Sequence, residues 1–142
     1  MEHYTFSAAE IEAATDAALE CLAWSTPIPT DDETDGAGYL DAHDADYSDA
    51  AREAMRLIID SFMSDDRVSR LFDLLALLGV PFSPEQIGHD FILTANGHGA
   101  GFWDRNYRPR QKAALEALSA IVRPYGEIVA HVSVAGEIEV AA

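Results

Sequence analysis

The chain has 142 residues, 49% of them hydrophobic, which is the size and apolar content of one domain with a single core. It carries 25 Asp and Glu against nine Lys and Arg, for a formal net charge of −16 and a pI near 4.3. Direct binding of nucleic acid or of an anionic membrane needs a positive footprint, so both are disfavoured for the chain as a whole. No apolar run approaches the roughly 20 residues that span a bilayer. Met1 to Phe6 show no basic stretch leading into an apolar one, so no secretory signal is expected. The one cysteine, Cys21, cannot form an internal disulfide, and a lone thiol fits a reducing cytoplasm.

The first predicted element is a helix opened by Ser7-Ala8-Ala9-Glu10, a capping box with Ser as N-cap and Glu three residues on. Ile11, Ala14, Ala18 and Leu22 give it a buried stripe that runs to about Trp24. Residues 25–47 then hold two prolines, two glycines and seven acids: Asp31, Asp32, Glu33, Asp35, Asp41, Asp44 and Asp46. This is a long acidic loop, and a loop of that length in a compact domain is functional or mobile. Tyr39 and Leu40 are the apolar points that could pin its middle to the body. No Lys or Arg precedes Arg52, whereas thirteen acids do, so the imbalance is concentrated in the N-terminal third. A second helix starts at the Ser48 cap and ends near Met63, with Ala51, Met55, Ile58, Ile59 and Phe62 on its apolar face. A third runs from about Asp66 to Leu78, with Asp65 or Asp66 near its positive end. Gly79 stops it, and Pro81 and Pro84 follow.

Residues 90–104 read as a β-hairpin. Asp90-Phe91-Ile92-Leu93-Thr94-Ala95 is strand-like, Asn96-Gly97 is the preferred type I′ turn, and His98-Gly99-Ala100-Gly101-Phe102-Trp103-Asp104 returns. A further helix has Pro109 in its first turn and continues through Leu115, Leu118 and Val122 to Pro124-Tyr125-Gly126. Glu127 to Val134 and Glu137 to Val140 form two last strands around a turn at Ala135-Gly136. The predicted fold class is therefore α+β, in the order ααα-ββ-α-ββ. Three N-terminal helices, a β-hairpin, a helix and a C-terminal β-hairpin make one acidic domain over 1–142, with a small antiparallel sheet packed by helices on one face.

The segment 88–104 invites a chemical reading, because it gathers His89, Asp90, His98 and Asp104 among closely set glycines. In a hairpin turning at Asn96-Gly97, His89 faces Asp104 at the far end, and His98 sits by the turn about 20 Å away. Two imidazoles that far apart cannot share one ion, so no metal site is assigned. His89 beside Asp104 could act as an oriented base. Its only candidate nucleophiles are Ser83, Thr94 and Cys21, and no nucleophile-elbow, phosphate-loop or paired-cysteine motif is present. His98-Gly99-Ala100-Gly101 could offer backbone N–H groups to an anion. The structural reading accounts for the alternation without chemistry: the glycines leave a groove for a helix or for the Trp103 ring, and His89 with Asp104 fixes the register. On that reading His89, Asp90, Asn96, Gly97, His98, Gly99, Gly101, Trp103 and Asp104 are architectural, and no catalytic residue or cofactor is assigned.

Several stretches together resemble a family of small uncharacterised proteins encoded by bacteriophages, plasmids and their bacterial hosts. They are 17–25 (Ala-Ala-Leu-Glu-Cys-Leu-Ala-Trp-Ser), the acidic loop, Tyr47-Ser48 with its helix, and the run from Gly88-His89-Asp90-Phe91 through Asn96-Gly97-His98-Gly99-Ala100-Gly101-Phe102-Trp103-Asp104-Arg105. The family motif carries Trp and Arg where this chain has Ile92 and Ala95. The resemblance implies a mobile-element setting and no particular activity.

Charge and setting together point to a protein-binding module. Its acidic N-terminal third, through Asp31, Asp32, Glu33, Asp35, Asp41, Asp44 and Asp46, would engage a basic surface on another protein, in the limit as a DNA mimic that inhibits a DNA-binding or defence protein of the host cytoplasm. The rivals are a small-ligand protein or enzyme using His89, His98 and Asp104, and a self-assembling protein. In the latter the basic run from Arg105 to Lys112 of one copy meets the acidic loop of the next.

Overall fold

A computed structural model describes residues 5–26, 46–97, 101–102 and 108–141. Along the chain these form α1 (Ala8–Ser25), α2 (Asp49–Met63), α3 (Asp66–Leu77), α4 (Pro84–Ala95) and α5 (Pro109–Val122), then a 3-10 turn (Arg123–Tyr125) and the strands β1 (Val129–Val132) and β2 (Ile138–Ala141). The helix starts follow the capping chemistry of the sequence. Ser7 Oγ accepts from the Glu10 N–H at 3.1 Å, and Glu10 Oε1 accepts from the Ser7 N–H at 2.9 Å, which closes the capping box of α1. Ser48 Oγ accepts from Ala51 N–H at 3.0 Å to open α2, and the Asp65 carboxylate accepts from Arg67 N–H at 2.9 Å to open α3.

The expected hairpin over 90–104 is overturned. Its first arm is the second half of α4, which begins at a capping box of its own. Ser83 Oγ accepts from Gln86 N–H at 3.2 Å, Gln86 Oε1 accepts from Ser83 N–H at 3.0 Å, and Pro84 occupies the first turn. Ile87, Gly88, Phe91 and Ile92 are all buried, at spacings of one, four and five that belong to a helix face rather than to an alternating strand. Asn96-Gly97 does punctuate the chain, but as the end of a helix. The Asn96 N–H donates to Ile92 O at 3.0 Å, and Gly97 takes a φ of +69°. A left-handed glycine suits a helix C′ position as well as a type I′ turn, and here the helix uses it. The fold is thus mostly helical. The only sheet among the described residues is the two-stranded antiparallel β1–β2, with Val129 opposite Ala141 and Val132 opposite Ile138. No described helix is long and apolar enough to cross a membrane.

Helices α4 and α1 pack backbone to backbone at Gly88. A Cβ added at Gly88 would lie 2.1 Å from the Ala14 carbonyl oxygen and 3.0 Å from the Ala18 nitrogen, so only glycine lets the two backbones approach this far. Beyond that contact, Phe62 of α2 sits at the centre of an aromatic core. Its ring centroid lies 4.9 Å from Phe91, 6.1 Å from Phe102 and 6.4 Å from both Phe72 and Tyr125, so one side chain joins all the later helical elements but α5. Leu115, Leu118 and Val122 carry α5 into the same core. The Gln111 side-chain amide donates to Leu78 O at 2.7 Å and holds α5 against the end of α3. The small sheet is tied back through Tyr47. The Ser48 N–H donates to Ile138 O at 3.0 Å, Ile138 N–H donates to Asp46 O at 2.8 Å, and Tyr47 OH donates to Leu19 O at 2.6 Å.

Gly88→Ala therefore tests the α1–α4 seat. The added methyl meets backbone rather than a flexible side chain, so the helices must separate, at a cost of about 2–4 kcal/mol in denaturant unfolding. A variant of native stability would mean that the two backbones are not held this close.

Candidate functional site

Two regions concentrate polar and charged side chains. The first is a groove of about 520 Å³ between α1 and α2. The helical repeat puts Ala8, Ile11, Thr15 and Leu19 in one row along α1, with Glu12 and Asp16 in the adjoining row. The facing wall is the charged side of α2: Asp49, Arg52, Glu53, Arg56 and Asp60. Leu19 and Thr15 are buried and Ile11 is half-buried, whereas Glu12, Asp16, Asp49 and Glu53 are exposed. Five carboxylates thus face two guanidiniums. One of these, Arg56, is already taken up by Glu53, with Nε 3.0 Å from Glu53 Oε2. That hydrogen bond holds the Glu53 carboxyl below its ordinary range. The groove keeps a negative rim above a partly apolar floor.

This groove was not foreseen as a site. Its signal was present in the four-residue spacing of Glu12 with Asp16 and of Asp49 with Glu53, beside the apolar stripe of each helix. The foreseen acidic contacts Asp31, Asp32, Glu33, Asp35, Asp41 and Asp44 lie outside the described residues, as do Tyr39 and Leu40. Asp46 is described; its side chain is exposed and its carbonyl is bonded to β2.

The second region is the motif on α4. His98, Gly99, Trp103 and Asp104 lie outside the described residues, so the predicted pairing of His89 with Asp104 loses its hairpin and has no described counterpart. His89 is half-buried, with its ring 6.3 Å from that of Trp24. It borders a shallow cleft of about 230 Å³ with Glu85, Gln86, Asp90 and Leu93. Asp90 is 4% exposed, and its charge is one of the influences on Cys21. Asn96 is not a hairpin turn residue but a tether. Its amide donates to Ile128 O at 3.0 Å and accepts from Ile128 N–H at 2.7 Å, so one side chain pairs with the backbone ahead of β1 as a strand would. Gly101, at φ +132°, lies against Thr94, where a Cβ would come 2.4 Å from the hydroxyl. That approach lets Phe102 N–H donate to Thr94 Oγ1 at 3.1 Å and sends the Phe102 ring into the core.

Each candidate nucleophile is committed to the fold. Ser83 Oγ caps α4, Thr94 Oγ1 receives the Phe102 N–H, and the Cys21 thiol donates to the His89 carbonyl at 3.6 Å. Burial first, then the charges of Asp90 and Glu20, pushes the Cys21 thiol from 9.0 up to about 12, the reverse of an activated thiolate. Tyr47 is raised above its ordinary range as well, mainly by burial. Among the described residues, no group of three His, Cys, Asp or Glu is placed to hold a metal ion.

Comparison of the chain with protein-family models, with curated proteins and with solved structures finds no match.

Two measurements follow from these contacts. Asn96→Ala removes both bonds to Ile128 and leaves buried backbone groups unpaired, for a loss of about 1–3 kcal/mol in unfolding free energy. An unchanged melting temperature would show that β1 is held without Asn96. Cys21 should resist a thiol-reactive disulfide reagent at neutral pH and react only as fast as the chain unfolds. In alkali the sign is fixed by the raised values: the fold keeps the Cys21 and Tyr47 protons that the unfolded chain gives up. The thiol's contribution to stability is therefore constant below its ordinary value of 9.0 and is lost as pH rises from there towards about 12. Cys21→Ala should flatten the first part of that fall in thermal melts, and an equally steep fall would remove the thiol as its source.

Proposed function

We propose that this chain is an acidic protein-binding module whose partner is a basic, DNA-binding protein, in a phage or mobile-element setting. It acts there as a DNA-mimicking inhibitor in the host cytoplasm, with carboxylates standing where DNA presents phosphates. The observation that carries this reading is the groove between α1 and α2, where the five carboxylates of Glu12, Asp16, Asp49, Glu53 and Asp60 outnumber the guanidiniums of Arg52 and Arg56. The net charge of −16 adds long-range attraction to any basic surface. The commitment of Ser83, Thr94 and Cys21 to structural bonds weighs against the enzymatic alternative. The loop acids Asp31, Asp32, Glu33, Asp35, Asp41, Asp44 and Asp46 remain candidate contacts by their charge alone.

A second reading, self-association, is favoured by one observation. Leu71, Leu74, Leu78, Ala113 and Ala117 line an apolar groove of about 430 Å³ between α3 and α5, with Arg110 at its edge, and nearby Leu77 is 85% exposed.

The deciding experiment is an affinity capture from bacterial lysate with the native chain and with a variant whose loop and groove acids are changed to Asn and Gln. The expected outcome is a basic DNA-binding protein held by the native chain alone. Its association rate should fall at least tenfold between low and high salt. Equal capture by both chains would retire the acidic-module reading, and a mass in solution that doubles with concentration would favour self-association.

A further inference from the structure

Resting on the acidic-module reading, we propose that the α1–α2 groove receives one basic amphipathic α-helix of the partner, rather than presenting a flat acidic surface. Three features of the groove select that occupant. Its floor is partly apolar, Ala8, Ile11, Thr15 and Leu19 following one another along α1, so the occupant needs an apolar stripe. Glu12 and Asp16 flank the floor on α1, while on α2 Asp49 and Asp60 stand towards the two ends of the wall and Glu53 is paired with Arg56, so the occupant needs Lys or Arg along its α1 side and opposite Asp49 and Asp60. From Ala8 to Leu19 the floor runs eleven helical steps, or about 16 Å at helical rise, which matches three turns of a docked helix. A helix with apolar anchors at i, i+4 and i+7 and bases between them meets all three requirements, and helix-in-groove recognition reads such anchors. Arg52 on the α2 wall adds selectivity, because it repels a base placed opposite it and favours an acidic or neutral residue at that point of the occupant.

The test uses the native chain and two synthetic 18-residue peptides of identical Leu and Lys composition. One has Leu at helical three- and four-residue spacing. The other alternates Leu and Lys at strand spacing. Binding is followed by fluorescence anisotropy at low salt and again at high salt. The expected result is at least tenfold tighter binding of the helical peptide. Glu12→Gln with Asp16→Asn should weaken it about tenfold, Ile11→Ala should weaken it severalfold, and Glu116→Gln on α5, which does not line the groove, should leave it unchanged. Equal, salt-sensitive binding of both peptides overturns the helix-receiving groove and leaves the acidic-module reading standing. Tight helical binding that ignores the Glu12, Asp16 and Ile11 changes also overturns the groove, since the peptide then sits elsewhere. Failure of both peptides to bind at low salt overturns the groove and the acidic-module reading together.

Discussion

At Gly88 the backbone of α4 lies so near the Ala14 carbonyl of α1 that no side chain fits between them, and the elements beyond inherit their places from that contact. With α4 seated there, Phe91 turns towards Phe62, and the C-terminal end of α4 offers Thr94 and Asn96 to the chain that follows. Thr94 captures Phe102 and Asn96 captures Ile128, so the two connections leaving α4 and α5 are both anchored on one helix turn. The cost of fixing the connections is offset by burying Phe102 and Ile128 in the same core. Loss of the α1–α4 seat would displace all of these together.

Most helix limits were legible in the sequence because their caps are local chemistry. Ser7 with Glu10, Ser48 and Asp65 each bond within three residues, and nothing distant can alter that preference. The C-terminal hairpin was legible for a similar reason, with Gly136 at its turn. The segment 90–95 was not, because Phe91, Ile92 and Leu93 form a short apolar run whose periodicity fits a strand or a helix. Asn96-Gly97 then tipped the reading the wrong way, since the same dipeptide ends helices and turns hairpins. The deciding signal lay upstream. Ser83-Pro84-Glu85-Gln86 is a helix start, and a helix begun there has no reason to stop before Asn96.

That one change of element altered the chemistry as well as the fold. In a hairpin, His89 and Asp104 face each other as a pair; on α4, His89 leans on Trp24 and lends its carbonyl to Cys21. Among the described residues of that segment, Asn96 substitutes for a strand partner, Gly88 and Gly101 permit close approach, and Thr94 receives an N–H. The acidic groove escaped notice for the opposite reason. Its residues come from two helices whose mutual rotation no local pattern fixes, and only contact between α1 and α2 makes one opening of them.

The charges of that opening contribute little to holding the fold together. Glu12 and Asp16 are like charges one helical turn apart, an arrangement that weakens a helix slightly rather than supporting it. The ion pairs Arg56–Glu53 and Arg67–Asp65 are both short-range and largely exposed, a setting in which such pairs add little. Stability rests instead on the aromatic core around Phe62 and on buried backbone tethers. Apart from the caps made by Glu10 and Asp65, the surface charges described contribute little to folding. Glu12 and Asp16 can be neutralised without loosening the core, and relief of their mutual repulsion acts in favour of the folded chain. A change in binding on such neutralisation is accordingly a statement about the surface, because the fold beneath it does not depend on the charges removed.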